Sequence, residues 1–406
     1  MHDRSQLGLG GKSDSPHSAP HASAARIDQC QTHAVAADHS NPVARINPAL
    51  LASSSYWMQV KRMLVNAGLS RSHSHAYRFA EPRTDAAEIM STIELVDPEL
   101  RDALALWPVE PLTADSLTQR RANLLKVIGA VPKPDLPDIT ADEIRVESTF
   151  GAKPIRVLTY RPVKSDNPLP TIVHIHGGGF VAGAPEMKDV ENRLLASELR
   201  CAIYSVDYRL APEAPHPAPL EDIYSVFAWL HRKAGQLGLD PARIGIKGES
   251  GGGGFAAASA LYARDQQGPK FAFQHLIYPM IDDRTAVRKD LHPHVGEFVW
   301  TQAHNYFGWH SLLGREPGSA GVSPYAAASR AVDVSGLPPT YISVGGLDLF
   351  LEENLTYADR LSRAGVPVEF HMYPRAYHGF YQATNARVTK QAERDAREAL
   401  RRFLHG

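Results

Sequence analysis

The segment Gly248-Glu249-Ser250-Gly251-Gly252 sets one serine among glycines, between the β-branched run "RIGIKG" and the alanine-rich run "GGFAAASALYARD". A strand that enters a helix through so tight a bend lifts the central side chain clear of the backbone and leaves room only for small neighbours. This is the G-x-S-x-G pattern of a nucleophile elbow. The helix start behind it adds the positive end of a dipole. Phosphate-binding readings fit worse. No Gly-Lys-Ser/Thr ending follows, and Ser250 stands where a dinucleotide fingerprint needs glycine.

A serine hydroxyl is a weak nucleophile until a base takes its proton, and the base needs a carboxylate to hold its tautomer. In this arrangement the chain order is serine, acid, histidine. Asp348 follows the strand-like "TYISVGG", and His378 lies beyond "VEFHMY", in the loop before the last helix. Glu352 and Glu353 are rival acids, but they fall in the first turns of the next helix. His275, His292, His294 and His304 come before the last strand, and His371 lies inside it.

The tetrahedral intermediate of such a reaction needs N–H donors for its oxyanion. "HIHGGGF" puts Gly177, Gly178 and Gly179 directly after a buried strand, and the N–H of Gly251 follows the serine. His174 and His176 could suggest a metal. One strand cannot supply a full ligand set, and no third ligand is spaced nearby. The chemistry described by these residues requires no metal and no organic cofactor.

These residues need a sheet whose strand ends they share. From about residue 140, short apolar strands alternate with amphipathic helices: "TIVHIH", "CAIYSVDY", the helix from Ala218, "RIGIKG", "FAFQHLIYP", "TYISVGG", "VEFHMY" and a closing helix with Ala392, Ala396, Ala399 and Phe403. That rhythm predicts an α/β fold with a mostly parallel sheet covered on both faces. Ile144, Val146 and Phe150, then Ile155 and Val157, predict an antiparallel pair in front of it. The expected divisions are a polar disordered tail over 1–46, a helical cap segment over 47–135, and a catalytic domain over 136–406 with a cap insertion at about 283–335. Within the cap segment, Asp97-Pro98 opens a helix through Leu106, and Asp115 is expected to cap the next. Phe298, Trp300, Tyr306 and Trp309 of the insertion, with Tyr56-Trp57-Met58, suggest an apolar pocket roof, although any one of them can simply pack the cap. In "DYRLAPEAPHPAP", Arg209 and Glu213 are expected to fix the loop by pairing.

Bulk composition narrows the function classes. Lys and Arg total 43 against 44 Asp and Glu, so no basic field exists to gather nucleic acid or anionic lipid. Two cysteines, Cys30 and Cys201, make a disulfide framework untenable and fit a reducing cytoplasm. No apolar run reaches the length of a membrane span, and the N-terminal stretch is polar where a signal peptide would be apolar.

With these segments in view, the sequence resembles the hormone-sensitive-lipase-like esterases of the α/β-hydrolase fold. His176-Gly177-Gly178-Gly179-Phe180, Tyr208-Arg209-Leu210-Ala211-Pro212-Glu213, Gly248-Glu249-Ser250-Gly251-Gly252, Asp348 and His378-Gly379-Phe380 carry the resemblance, over roughly 140–406. It implies a helical cap and hydrolysis of a small-molecule carboxylic ester. Ser250 would be the nucleophile, Asp348 the acid, His378 the base, and Gly177, Gly178 and Gly251 the oxyanion donors. The family usually has Asp before and Ala after the serine. Glu249 and Gly251 stand here, as in members of the brefeldin A esterase type. The resemblance also implies a homodimer edge at the last strand and helix. Amidase, lactonase and deacetylase activities share the intermediate and stay open. A non-catalytic binding protein on this fold is disfavoured, because a hormone receptor in the family lacks the histidine that this chain keeps.

Overall fold

Side chains alternating between the two faces of the strands build one sheet with an apolar surface on each side. The computed structural model describes residues 92–105, 110–165 and 168–406. The expected tail, and the cap segment as far as residue 91 with Tyr56-Trp57-Met58, lie outside the described residues. The strands are β1 (Ile139–Val146), β2 (Ile155–Pro162), β3 (Leu169–Ile175), β4 (Ala202–Asp207), β5 (Leu239–Glu249), β6 (Gln274–Ile277), β7 (Thr340–Gly345) and β8 (Val368–Tyr373). Their order is β1-β2-β4-β3-β5-β6-β7-β8. β1 and β2 run antiparallel, β2 meets β4 antiparallel, and every later pairing is parallel.

The helices are α1 (Pro98–Leu104), α2 (Ala114–Gly129), α3 (Asp189–Glu198), α4 (Ala218–Leu237), α5 (Gly251–Asp265), α6 (Gln302–Leu313), α7 (Leu351–Arg363) and α8 (Arg387–His405). Every residue of β3 is buried, as a strand covered on both faces requires. Val173 and Ile175 join a core with Phe227 of α4, Phe255 of α5 and Tyr357 of α7. Ile172, the residue just before Val173, joins Leu195 of α3 and Leu400 of α8. Alternate side chains thus feed opposite layers.

Several boundaries differ from the expectations. Thr113 caps α2, accepting from Ser116 N while Ser116 Oγ accepts from Thr113 N. Asp115 falls inside the first turn, so the reciprocal Thr/Ser box outcompetes it. α1 stops at Leu104. Phe150 sits exposed in the turn between β1 and β2 instead of on a strand. β6 is only four residues long, whereas β5 starts at Leu239, before its apolar run. The 283–335 segment contains α6 and the short 3₁₀ turns Asp283–Ala286 and Ala328–Arg330, with no strand among its residues. Both paired residues of the proline-rich loop find partners: Arg209 clasps Asp222, and Glu213 receives Arg121 of α2. No helix among the described residues is long and apolar enough to cross a membrane.

Candidate active site

The parallel strands β3, β5, β7 and β8 all end at one edge, and each delivers part of the site. β3 and β5 are neighbours, with Ile175 opposite Gly248, so the loop after β3 lies beside the bend after β5. Ser250 has φ 55° and ψ −123°, a conformation that an L-residue adopts only under strain. The flanking glycines are sterically obligatory. A methyl group on Gly248 would stand 2.3 Å from the Gly252 carbonyl oxygen, and one on Gly252 would stand 2.2 Å from the Ile175 oxygen. The β5–α5 bend therefore presses directly on the end of β3. Backbone bonds lock the bend: Ser250 N–H donates to Ile277 O, and its carbonyl accepts from Met280 N at 3.0 Å.

Ser250 Oγ lies 2.9 Å from His378 Nε2. His378 Nδ1 lies 2.8 Å from Asp348 Oδ2. With Nδ1–H donating to the carboxylate, Nε2 is free to accept the serine proton. The second carboxylate oxygen accepts from Phe350 N at 2.9 Å, which fixes the acid rotamer. Asp348 is fully buried, and Ser250 and His378 are nearly so. Rings enclose the imidazole: Tyr278 at 4.7 Å and Phe350 at 5.0 Å, both edge-on.

The rival residues are engaged elsewhere. Glu353 accepts from the backbone N–H of Ile281 and Asp282 and from the Thr285 hydroxyl, and burial raises its carboxyl well above the usual range. Glu352 pairs with Arg288. His275 meets the Ala396 carbonyl, His304 the Glu110 carbonyl, and His371 pairs with Glu369.

The loop after β3 passes next to Ser250. A methyl on Gly177 would be 3.5 Å from Ser250 Cβ, and one on Gly251 would be 3.1 Å from the Gly179 nitrogen and 3.0 Å from that of Phe180. The sequence reading leaves Gly179 out of the donor set, yet its amide is among those that approach Gly251. Tyr208 Oη–H donates to His176 O at 2.7 Å, and its ring stacks on the His176 imidazole. Arg121 clamps the far side, donating to Val181 O at 2.7 Å and Ala211 O at 2.8 Å. No local sequence signal marks Arg121, which arrives from α2.

A buried charge cluster lies beneath the elbow, and the sequence reading missed it. Lys247 Nζ donates to Glu249, and Glu249 Oε2 lies 3.1 Å from His174 Nε2. The carboxylate can only accept, so Nε2 carries the proton, and Nδ1 accepts from Ser205 Oγ at 2.7 Å and Asn192 Nδ2 at 3.3 Å. Burial raises the Glu249 carboxyl, but Lys247, His174 and Lys188 outweigh it and hold the group well below the usual carboxylate range. Burial also lowers His174 below the ordinary histidine value. The strand period was the available signal: positions 247 and 249 face the same side.

A family model described as the alpha/beta hydrolase fold matches residues 172–382. The chain belongs to the α/β-hydrolase family. Carboxylesterase NlhH of Mycobacterium tuberculosis is 34% identical over 326 residues, spanning 76% of this chain and 97% of that protein. Esterase LipI of the same organism is 31% identical over 72% of this chain and 98% of its own length. Among solved structures, a bacterial heroin esterase superposes with a TM-score of 0.74 at 36% identity, covering 78% of this chain and all of the other. Within the α/β-hydrolases, the chain falls among the hormone-sensitive-lipase-like carboxylic ester hydrolases.

Proposed function

We propose that this α/β-hydrolase cleaves small to medium, largely apolar carboxylic esters through an acyl-enzyme on Ser250. The observation that carries the reading is the unbroken path Ser250 Oγ–His378 Nε2–His378 Nδ1–Asp348 Oδ2, with links of 2.9 and 2.8 Å. Ser250 Oγ attacks the ester carbonyl carbon while its proton passes to His378 Nε2. Asp348 keeps the ring in the receptive tautomer and stabilises the imidazolium. The carbonyl oxygen gains the charge and is held by backbone N–H groups of Gly177, Gly178 and Gly251, with Gly179 added on the close approach of its amide. The intermediate collapses, His378 returns the proton to the leaving alkoxide, and the alcohol departs. Water then attacks the acyl-enzyme with His378 as base, and the acid leaves with Ser250 restored.

The aromatic rings around His378 support an apolar ester over a charged one. The near balance of charges and the two cysteines support a cytoplasmic enzyme with no nucleic-acid partner. A homodimer would pair at the sheet edge, where Met372 of β8 is half exposed. Ser250→Ala is expected to cut p-nitrophenyl butyrate turnover by about 10⁴-fold or more with an unchanged circular dichroism spectrum. A folded variant that keeps more than about a tenth of the activity contradicts the reading.

A further inference from the structure

Of Phe298, Trp300, Tyr306 and Trp309 in the 283–335 segment, three pack away from the reaction centre. Trp309 is fully buried against Phe180, with ring centroids 4.8 Å apart. Tyr306 reaches outward to Glu316. Phe298 rests on Tyr377 at 6.1 Å. Trp300 differs. A methyl group on Gly179 would stand only 2.0 Å from Trp300 Cη2, so the outer edge of the indole abuts the glycine loop. The same side chain lies 6.4 Å, centroid to centroid, from the His378 ring. One side chain therefore spans from the proposed oxyanion donors to the proposed base.

Its placement is built. Trp300 N–H donates to Phe298 O at 2.7 Å, and Val299 between them has φ 63°. This is a γ-turn of the rarer, strained hand, formed around a β-branched residue for which positive φ is a true outlier. Such strain persists only where the surroundings over-determine it, and it gathers at functional positions. The turn is wedged against the histidine loop, with Val299 Cγ1 3.7 Å from where a Gly379 methyl would be. On the other side, Trp300 Nε1–H donates to Asn305 Oδ1 of α6 at 3.4 Å.

We infer that Trp300 is a specificity-determining wall that excludes esters branched next to the scissile bond. The inference rests on the esterase reading above. A carbonyl carbon bonded to Ser250 must place its oxygen toward the glycine amides and its leaving oxygen toward His378 Nε2. An indole that bridges those two positions crowds the first atom beyond the carbonyl or beyond the leaving oxygen. Flat, unbranched groups pass beside the ring, and a tertiary carbon meets it.

The test measures kcat/KM on two substrate pairs: p-nitrophenyl acetate against p-nitrophenyl pivalate for the acid side, and phenyl acetate against tert-butyl acetate for the alcohol side. Wild type, Trp300→Ala and the better-packed Trp300→Leu are compared, and each is first titrated with a serine-reactive phosphonate to count active sites. Trp300→Ala, or Trp300→Leu if the alanine variant does not fold, is expected to raise the branched-to-unbranched ratio by at least tenfold in one pair. A ratio within about threefold of wild type in both pairs, in a variant that titrates fully, overturns the inference and leaves the esterase reading standing. Wild-type protein that neither titrates nor hydrolyses any of the four esters overturns the esterase reading, and the inference falls with it.

Discussion

Glu249→Gln gives the sharpest stability prediction. The substitution keeps the side-chain shape and removes one charge from a site where Lys247, Glu249 and His174 are all at least 95% buried. Removing one member of a buried ion pair costs about 3–5 kcal/mol, because the partner keeps its desolvation penalty and loses its compensation. Here Lys247 retains a second partner, Glu191 at 3.1 Å, whose carboxylate is partly exposed. His174 retains a hydrogen-bond acceptor in the glutamine oxygen. The expected loss is therefore near the lower end, about 3 kcal/mol. That corresponds to a fall in melting temperature of roughly 4–5 °C for a cooperative unit of about 300–400 residues, at about 2.1 cal/mol/K of unfolding entropy per residue. Urea titrations followed by tryptophan fluorescence would measure it. The double variant Lys247→Met/Glu249→Gln removes both charges and should recover most of the loss, giving a coupling of about 2 kcal/mol or more in the double-mutant cycle. A single variant within about 0.5 kcal/mol of wild type, or a double variant equal to the sum of the singles, would refute the reasoning.

Two further outcomes follow from the same geometry. Burial holds His176 at about 4 and, with help from Lys247, His275 at about 3, and it also lowers His174, whereas an unfolded histidine titrates near about 6.5. The unfolded chain thus takes up protons that the folded one refuses, so stability is full above about pH 6.5 and drains away toward pH 4, by roughly 2 kcal/mol for each of His176 and His275 at pH 5. Glu353, with its raised pKa, opposes this in part, being most favourable to the fold at low pH. The urea midpoint should be lower at pH 5 than at pH 7.5, and an equal or higher midpoint at pH 5 contradicts the balance drawn here. Gly252→Ala forces a methyl to 2.2 and 2.3 Å from the Ile175 and His176 oxygens; it should cost at least about 1–3 kcal/mol of stability and lower kcat by shifting the glycine loop, as thermal melts and steady-state assays would report.

Much of the site was legible because its constraints are local. Gly248 and Gly252 are read from one pentapeptide, and their role is to let backbones approach within a few ångströms. Asp348 and His378 were legible from chain order and from strands that end just before them. The alternation of short, mostly apolar strands with amphipathic helices marked the sheet, and β3 is one such run, apolar except at Thr171 and His174. What stayed hidden depends on distant partners. Arg121 meets Val181 and Ala211 across 60 and 90 residues. Glu249 and His174 are on different strands, so only their register makes them neighbours. The Thr113 cap of α2 wins over Asp115 through a reciprocal bond that propensity alone does not rank. Trp300 could not be told from Trp309 by type or spacing, because its aim comes from positive φ at Val299, a residue whose branching argues against that conformation.

If His378 and Asp348 activate Ser250 to attack carboxylic esters, Ser250 must be the residue that a serine-directed reagent captures. The most direct measurement is incubation of the full chain with a serine-reactive phosphonate, with p-nitrophenyl butyrate turnover followed alongside and the adduct mapped by peptide mass spectrometry. One adduct per chain is expected, located on Ser250, with activity lost in step with labelling, and with labelling slowed by orders of magnitude in Asp348→Asn. Full inactivation with the adduct on another residue, or stoichiometric labelling of Ser250 with turnover intact, would contradict that role for Ser250.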